Sequence, residues 1–95
     1  MRYREIKIDG RKLSGEYEAA RALSAAGLNW LVDSEVEDAV IEVLNDTVIW
    51  HGGDFLSGYW RYGIFKAGSF HGVWEGGIFE GGEFSGRWLD GIKLC

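Results

Sequence analysis

From residue 50 onward the chain repeats one phrase: a glycine, then an aromatic two residues later, about every five residues. Trp50, Phe55, Trp60, Phe65, Phe70, Trp74, Phe79, Phe84 and Trp88 are separated by 5, 5, 5, 5, 4, 5, 5 and 4 residues. A glycine stands two positions before each of them except Trp50, which has Val48 there, and Gly91 opens a further unit. A period of five fits neither a helix, which repeats every 3.6 residues, nor one long strand, which repeats every 2. Within a unit the glycine and the ring are two apart, so in extended chain they share a face. The residues between pairs must turn the chain. This is a repeat architecture of short extended segments and tight turns.

Two folds satisfy that description. A solenoid of four units per coil points the rings inward and gives each unit a neighbour above and below. An antiparallel meander instead makes each unit the neighbour of the next, with strands of about three residues, shorter than usual. The meander also needs hairpin turn chemistry, and Leu56-Ser57, Arg61-Tyr62 and Lys66-Ala67 lack the Asn-Gly signal. The solenoid is the preferred reading. In a four-unit register Phe55 lies beneath Trp74, Trp60 beneath Phe79 and Phe65 beneath Phe84, with Arg61 beside Glu80 and His51 beside His71. All nine marked rings are then expected in the core.

The unit resembles that of the pentapeptide-repeat proteins, on residues 50–92. Gly77-Ile78-Phe79-Glu80-Gly81 matches the family frame of a small residue, a polar one, a central Leu or Phe and two more, and Gly68-Ser69-Phe70-His71 follows it until a residue drops out. This chain departs by using glycine at the small position and Trp at some central ones. The resemblance implies a right-handed quadrilateral β-helix. Glycine in place of alanine is expected to make room for the larger rings. A Gly-x-Phe/Trp pattern of this kind is also similar to repeats in phage proteins to which no activity attaches.

The remaining half reads differently. Residues 2–8 alternate, Asp9-Gly10 is a turn signal, and Glu16 to Ala26 form an alanine-rich helix that stops at Gly27. A strand and helix here suit a lid, since open solenoid ends expose apolar core and unpaired backbone. We therefore expect a strand-helix cap over 1–29, with residues 1–27 covering the N-terminal end, and solenoid over 30–95, clear from residue 50. Residues 34–43 read either as units with aliphatic centres or as a helix capped by Ser34 with Glu37. Their β-branched content favours strand.

Ninety-five residues make one small, mainly β domain, with 15 glycines, no proline and 14 aromatic residues (5 Trp, 4 Tyr, 5 Phe). Without proline every amide can donate to a ladder. The single Cys95 forms no internal disulfide, which suits a reducing compartment. The charged, alternating start is no signal peptide, and no apolar run reaches membrane-spanning length. A cytoplasmic protein is expected, or one in the host cytoplasm if phage-encoded.

Function is less legible. His51-Gly52-Gly53 lacks a Gly-x-Ser-x-Gly partner, no glycine run has the phosphate-cradling Gly-x-x-x-x-Gly-Lys form, and His51 and His71 have no supporting carboxylate pattern for a metal. No enzyme activity, metal or cofactor is expected. The net charge of −5 is uneven. Arg2, Arg4, Lys7, Arg11 and Lys12 make the start basic, and Asp33, Glu35, Glu37, Asp38 and Glu42 follow with no Lys or Arg among them. Such a face repels nucleic acid and attracts a basic protein surface. Those five acids are the expected protein-binding face, and Tyr59, Arg61 and Tyr62 around Trp60 have the residue types of a contact cluster. Some quinolone-resistance pentapeptide proteins are acidic rods that mimic DNA in a topoisomerase. The resemblance thus implies an acidic inhibitor of a nucleic-acid-handling or host-defence protein, with no nucleic-acid or membrane partner of its own. The alternative is a structural assembly module. A homodimer through Trp88 to Leu94 is expected in either case.

Overall fold

The computed structural model describes residues 2–94. Strands β1 (Tyr3–Ile8) and β2 (Arg11–Leu13) form a hairpin, followed by helices α1 (Glu16–Ala25) and α2 (Asn29–Val32). Two long strands follow, β3 (Glu35–Leu44) and β4 (Thr47–Ser57). Eight two-residue strands complete the chain: β5 (Tyr59–Trp60), β6 (Ile64–Phe65), β7 (Ser69–Phe70), β8 (Val73–Trp74), β9 (Ile78–Phe79), β10 (Glu83–Phe84), β11 (Arg87–Trp88) and β12 (Ile92–Lys93).

The short strands stack as a solenoid of parallel ladders, so the solenoid and not the meander is observed. The coil, however, has three sides, not the four that the resemblance implies. Trp50 pairs with Phe65 and Phe65 with Phe79; Phe55 pairs with Phe70 and Phe70 with Phe84; Trp60 pairs with Trp74 and Trp74 with Trp88. Every expected four-unit contact moves by one side. Arg61 lies one coil from Glu75, whose amide bonds to the Trp60 carbonyl, and Lys66 lies one coil from Glu80. His51 and His71 sit on different corners and form no pair.

Three columns of rings fill the triangle. Within a column they stack nearly parallel: Trp60 and Trp74 have centroids 5.2 Å apart at 8°, and Phe65 and Phe79 are 5.1 Å apart at 8°. Between columns they meet edge to face, as Trp60 does with Phe65 at 81°. Each well-oriented aromatic pair adds about 0.5–1.5 kcal/mol beyond burial itself. Seven of the nine marked rings, Trp50 to Phe79, are fully buried. Phe84 and Trp88 are only half-buried, with no coil of rings beyond them among the described residues.

The two four-residue units fall at the same corner, Phe70 to Trp74 and Phe84 to Trp88. They shorten a coil from 15 residues, as between Trp50 and Phe65, to 14, as between Phe65 and Phe79. The glycines have a different job from the one expected. They lie in columns where successive coils approach backbone to backbone, and a Cβ on Gly68 would stand 2.1 Å from the Gly53 carbonyl oxygen. Gly68 also has φ +111, a conformation closed to most side chains. Glycine is required by the coil spacing, not by the size of the ring.

Residues 35–44 are extended, as their β-branched content suggested, but they are not coil units. β3 pairs antiparallel with β4 and parallel with β1, so it belongs to a sheet continuous with two walls of the solenoid. The β3–β4 ladder places Ile41 opposite Trp50 and Val36 opposite Phe55, which closes two sides of the first coil.

The third side is closed by α2. Trp30 sits edge-on against Trp60, with centroids 5.2 Å apart at 75°. The lid thus extends beyond residue 27. α1 packs Ala19 and Leu23 into the same core as Leu28 and Leu31. It ends in a Schellman turn: Gly27 at φ +81 lets the Leu28 amide bond back to the Leu23 carbonyl at 2.9 Å. The Asp9-Gly10 turn joins β1 to β2 as expected. Arg2 spends its charge internally, its guanidinium donating to the Val32 and Ser34 carbonyls between α2 and β3.

Candidate protein-binding surface

In a strand, side chains alternate between faces, so the residue before each inward ring points outward. The three-sided register therefore creates outward rows that run along the solenoid axis. One row is acidic. Glu37 on β3 is opposite Asp54 on β4, Asp54 neighbours Ser69 on β7, and Ser69 neighbours Glu83 on β10. Steps of about 4.8 Å put Glu37 and Glu83 about 14 Å apart. The Ser69 hydroxyl donates to Asp54 Oδ1 at 2.6 Å, which fixes one carboxylate of the row. Glu35 and Asp38 are exposed beside it, Asp38 at φ 52 in the irregular stretch of the β3–β4 ladder.

The five acids expected to form one face are thereby divided. Glu35, Glu37 and Asp38 share it. Glu42 does not: it lies between Lys7 on β1 and Ile49 on β4, and its Oε1 is 3.0 Å from His51 Nε2. Asp33 follows α2 and lines two adjoining clefts of about 290 and 400 Å³ with Trp30 and Arg61. Tyr59 borders one cleft and Tyr62 the other, so the Tyr59, Arg61 and Tyr62 cluster gains Trp30 and Asp33 as neighbours. Tyr62 packs edge-on against Trp30 with centroids 5.4 Å apart. Asp54 and Glu83 were missed as members of the acidic row. Their signal was the position just before the ring in units 15 and 14 residues apart.

Like charges facing each other across a ladder destabilise it by a few tenths to about 1 kcal/mol. Glu37 opposite Asp54 is such a placement. No Lys or Arg belongs to the row.

Other chemistry is sparse. On the short corner His71 Nδ1 lies 2.5 Å from Ser85 Oγ, both exposed, without the carboxylate that orients a catalytic imidazole. His51-Gly52-Gly53 runs through β4, with Gly53 packed against the Asp38 backbone. Among the described residues no group of three or more His, Cys, Asp or Glu side chains could hold a metal ion, and no helix is long and apolar enough to cross a membrane. Cys95 lies outside the described residues. Burial raises the Tyr3 phenol above its ordinary pKa, with Arg2 opposing the shift and Glu16 adding to it. No known protein family, curated protein or solved structure matches the chain.

Proposed function

We propose that this protein is a non-enzymatic binding module that docks its acidic row on a basic surface of another protein. The observation that carries this reading is the line of outward carboxylates, Glu37, Asp54 and Glu83, flanked by Glu35 and Asp38, held at strand spacing on a rigid stack. An acidic ridge with Glu37 and Asp54 one strand step apart and Glu83 two steps further on, across Ser69, competes for surfaces that otherwise hold a polyanion, and it raises association rates through its field. Inhibition of a nucleic-acid-handling or host-defence protein by charge mimicry, as in phage counter-defence, is the use that fits. At about 14 Å the row matches a short polyanionic segment, not a long duplex. Kinship with the pentapeptide-repeat proteins is a further part of this proposal. It rests on the five-residue unit and the stacked parallel coils, while the three-sided coil sets this chain apart.

Capture from a bacterial lysate at low and moderate salt tests the proposal. The immobilised wild-type chain should retain a protein that salt releases, and a Glu37→Lys, Asp54→Lys, Glu83→Lys variant should not retain it. Equal capture by both would remove the acidic row as the binding surface. The second reading, an assembly module, is favoured by the half-covered Phe84 and Trp88 at the far end of the stack. It expects self-association, not capture.

A further inference from the structure

The two ends of the solenoid are finished differently. At the near end each side of the first coil has a cover: β3 lies alongside β4, and Trp30 sits against Trp60. At the far end β10, β11 and β12 each pair on one edge only among the described residues. Open parallel edges above half-buried rings are a template for a second chain. Leu89, Ile92 and Leu94 are exposed around them.

A fourth coil begins in perfect register and then breaks the rule of its repeat. Gly91 stacks over Gly77, Ile92 pairs with Ile78, and the Leu94 amide bonds to the Phe79 carbonyl at 2.9 Å. The inward position, aligned with Phe79 and filled by Trp50, Phe65 and Phe79 in the column beneath, belongs to Lys93. Its Nζ lies 5.5 Å from the centroid of the Phe84 ring, over the uncovered core, while the side chain remains exposed to water. A cation over an aromatic face is stabilised there, whereas the same cation shut inside an apolar contact is strongly penalised. The opposite edge of the continuous sheet, β2, carries exposed Arg11 and Lys12. The β12 and β2 edges therefore end on cations, while the β10 edge carries Glu83.

We propose that Lys93 is a stop residue that keeps a second copy of this chain from stacking on the open end. Two chains meeting there end to end would bring two ammonium groups together over the same aromatic surface and strip both of water. The expected homodimer through Trp88 to Leu94 is thus opposed by a residue inside that segment. Because the near end is covered, removing the charge permits a head-to-head pair but no continuing fibre. This inference is independent of the acidic row and has a separate readout.

The test is sedimentation velocity on the full chain, with reductant present so that Cys95 cannot link copies. Lys93→Met keeps the unbranched stem and removes the charge, so it fits wherever lysine fits. Lys93→Arg keeps the charge. Wild type and Lys93→Arg should sediment as monomers at concentrations where Lys93→Met is a dimer, with a dissociation constant lower by about tenfold or more. A wild-type dimer, a monomeric Lys93→Met, or open-ended polymers of that variant would each overturn the proposal.

Discussion

Trp60 and Trp74 stand on successive coils with ring centroids 5.2 Å apart and planes within 8° of parallel. The contact defines the coil, because it joins residues 14 apart in the chain and excludes any register of four units. Stacking of this kind makes the core one continuous object, and removing a ring from its middle leaves partners bare on two sides.

Phe79→Ala should accordingly cost about 3–5 kcal/mol, since its ring is fully buried between Phe65 below and Lys93 above. A domain of this size has only about 5–10 kcal/mol to lose. Denaturant unfolding should show a large fall in midpoint. Phe84→Ala, removing a half-buried ring, should cost less than half as much. Equal losses would contradict the open end.

Gly68→Ala and Gly10→Ala pose the same backbone problem in different surroundings. Both glycines have positive φ, but a Cβ at Gly10 meets nothing within 4 Å, while at Gly68 it meets the Gly53 carbonyl oxygen at 2.1 Å. Gly10→Ala should cost about 1–2 kcal/mol, the strain of the left-handed conformation alone. Gly68→Ala should cost more than about 3 kcal/mol, because a coil must move. Thermal unfolding of the pair would expose an error in the coil contacts if the two costs were alike.

Binding through the acidic row has an internal control. Glu42→Gln removes a carboxylate that His51 already holds, on a different row, and should leave capture of a basic partner unchanged. Reversal of Glu37, Asp54 and Glu83 should reduce affinity by about a hundredfold or more, with the circular dichroism spectrum retained. If Glu42→Gln weakened binding as much as the triple reversal, net charge and not the row would be the recognised feature.

Tyr3 predicts an alkaline limit to stability. Its hydroxyl is buried with no hydrogen-bond partner among the described residues, and burial raises its pKa above the usual value near 10. The unfolded chain then releases the phenolic proton at lower pH than the folded one. The stability contributed is complete below about pH 10 and falls as pH rises from there towards the folded value. Tyr3→Phe should unfold at higher pH than wild type and lose nothing at neutral pH, since it deletes an unsatisfied hydroxyl. Phenolate absorbance recorded along a pH titration reads both the ionisation and the unfolding.

The sequence alone determined what depends on neighbours along the chain. A glycine and a ring two apart share a face of any extended segment, so inward rings were legible from residue 50 onward and short strands from residue 59. The Asp9-Gly10 turn and the helix stopping at Gly27 were legible because turn and cap chemistry is local. Tertiary structure decided how many units close a coil. That number depends on the corner angle and on how nearly the backbones of Gly53, Gly68 and Gly82 approach, and neither is a property of one unit. A trace was present: the four-residue steps recur every third unit, and Trp60, Trp74 and Trp88 are spaced by 14. Tertiary structure likewise drew β3 into the sheet between β1 and β4 and brought Trp30 onto Trp60. It also gathered Glu37, Asp54 and Glu83 into one row while leaving Glu42 and Asp33 outside it. Those outcomes follow from strand pairing and ring packing between different elements, where register is set by which buried surfaces fit together and not by the residues alongside.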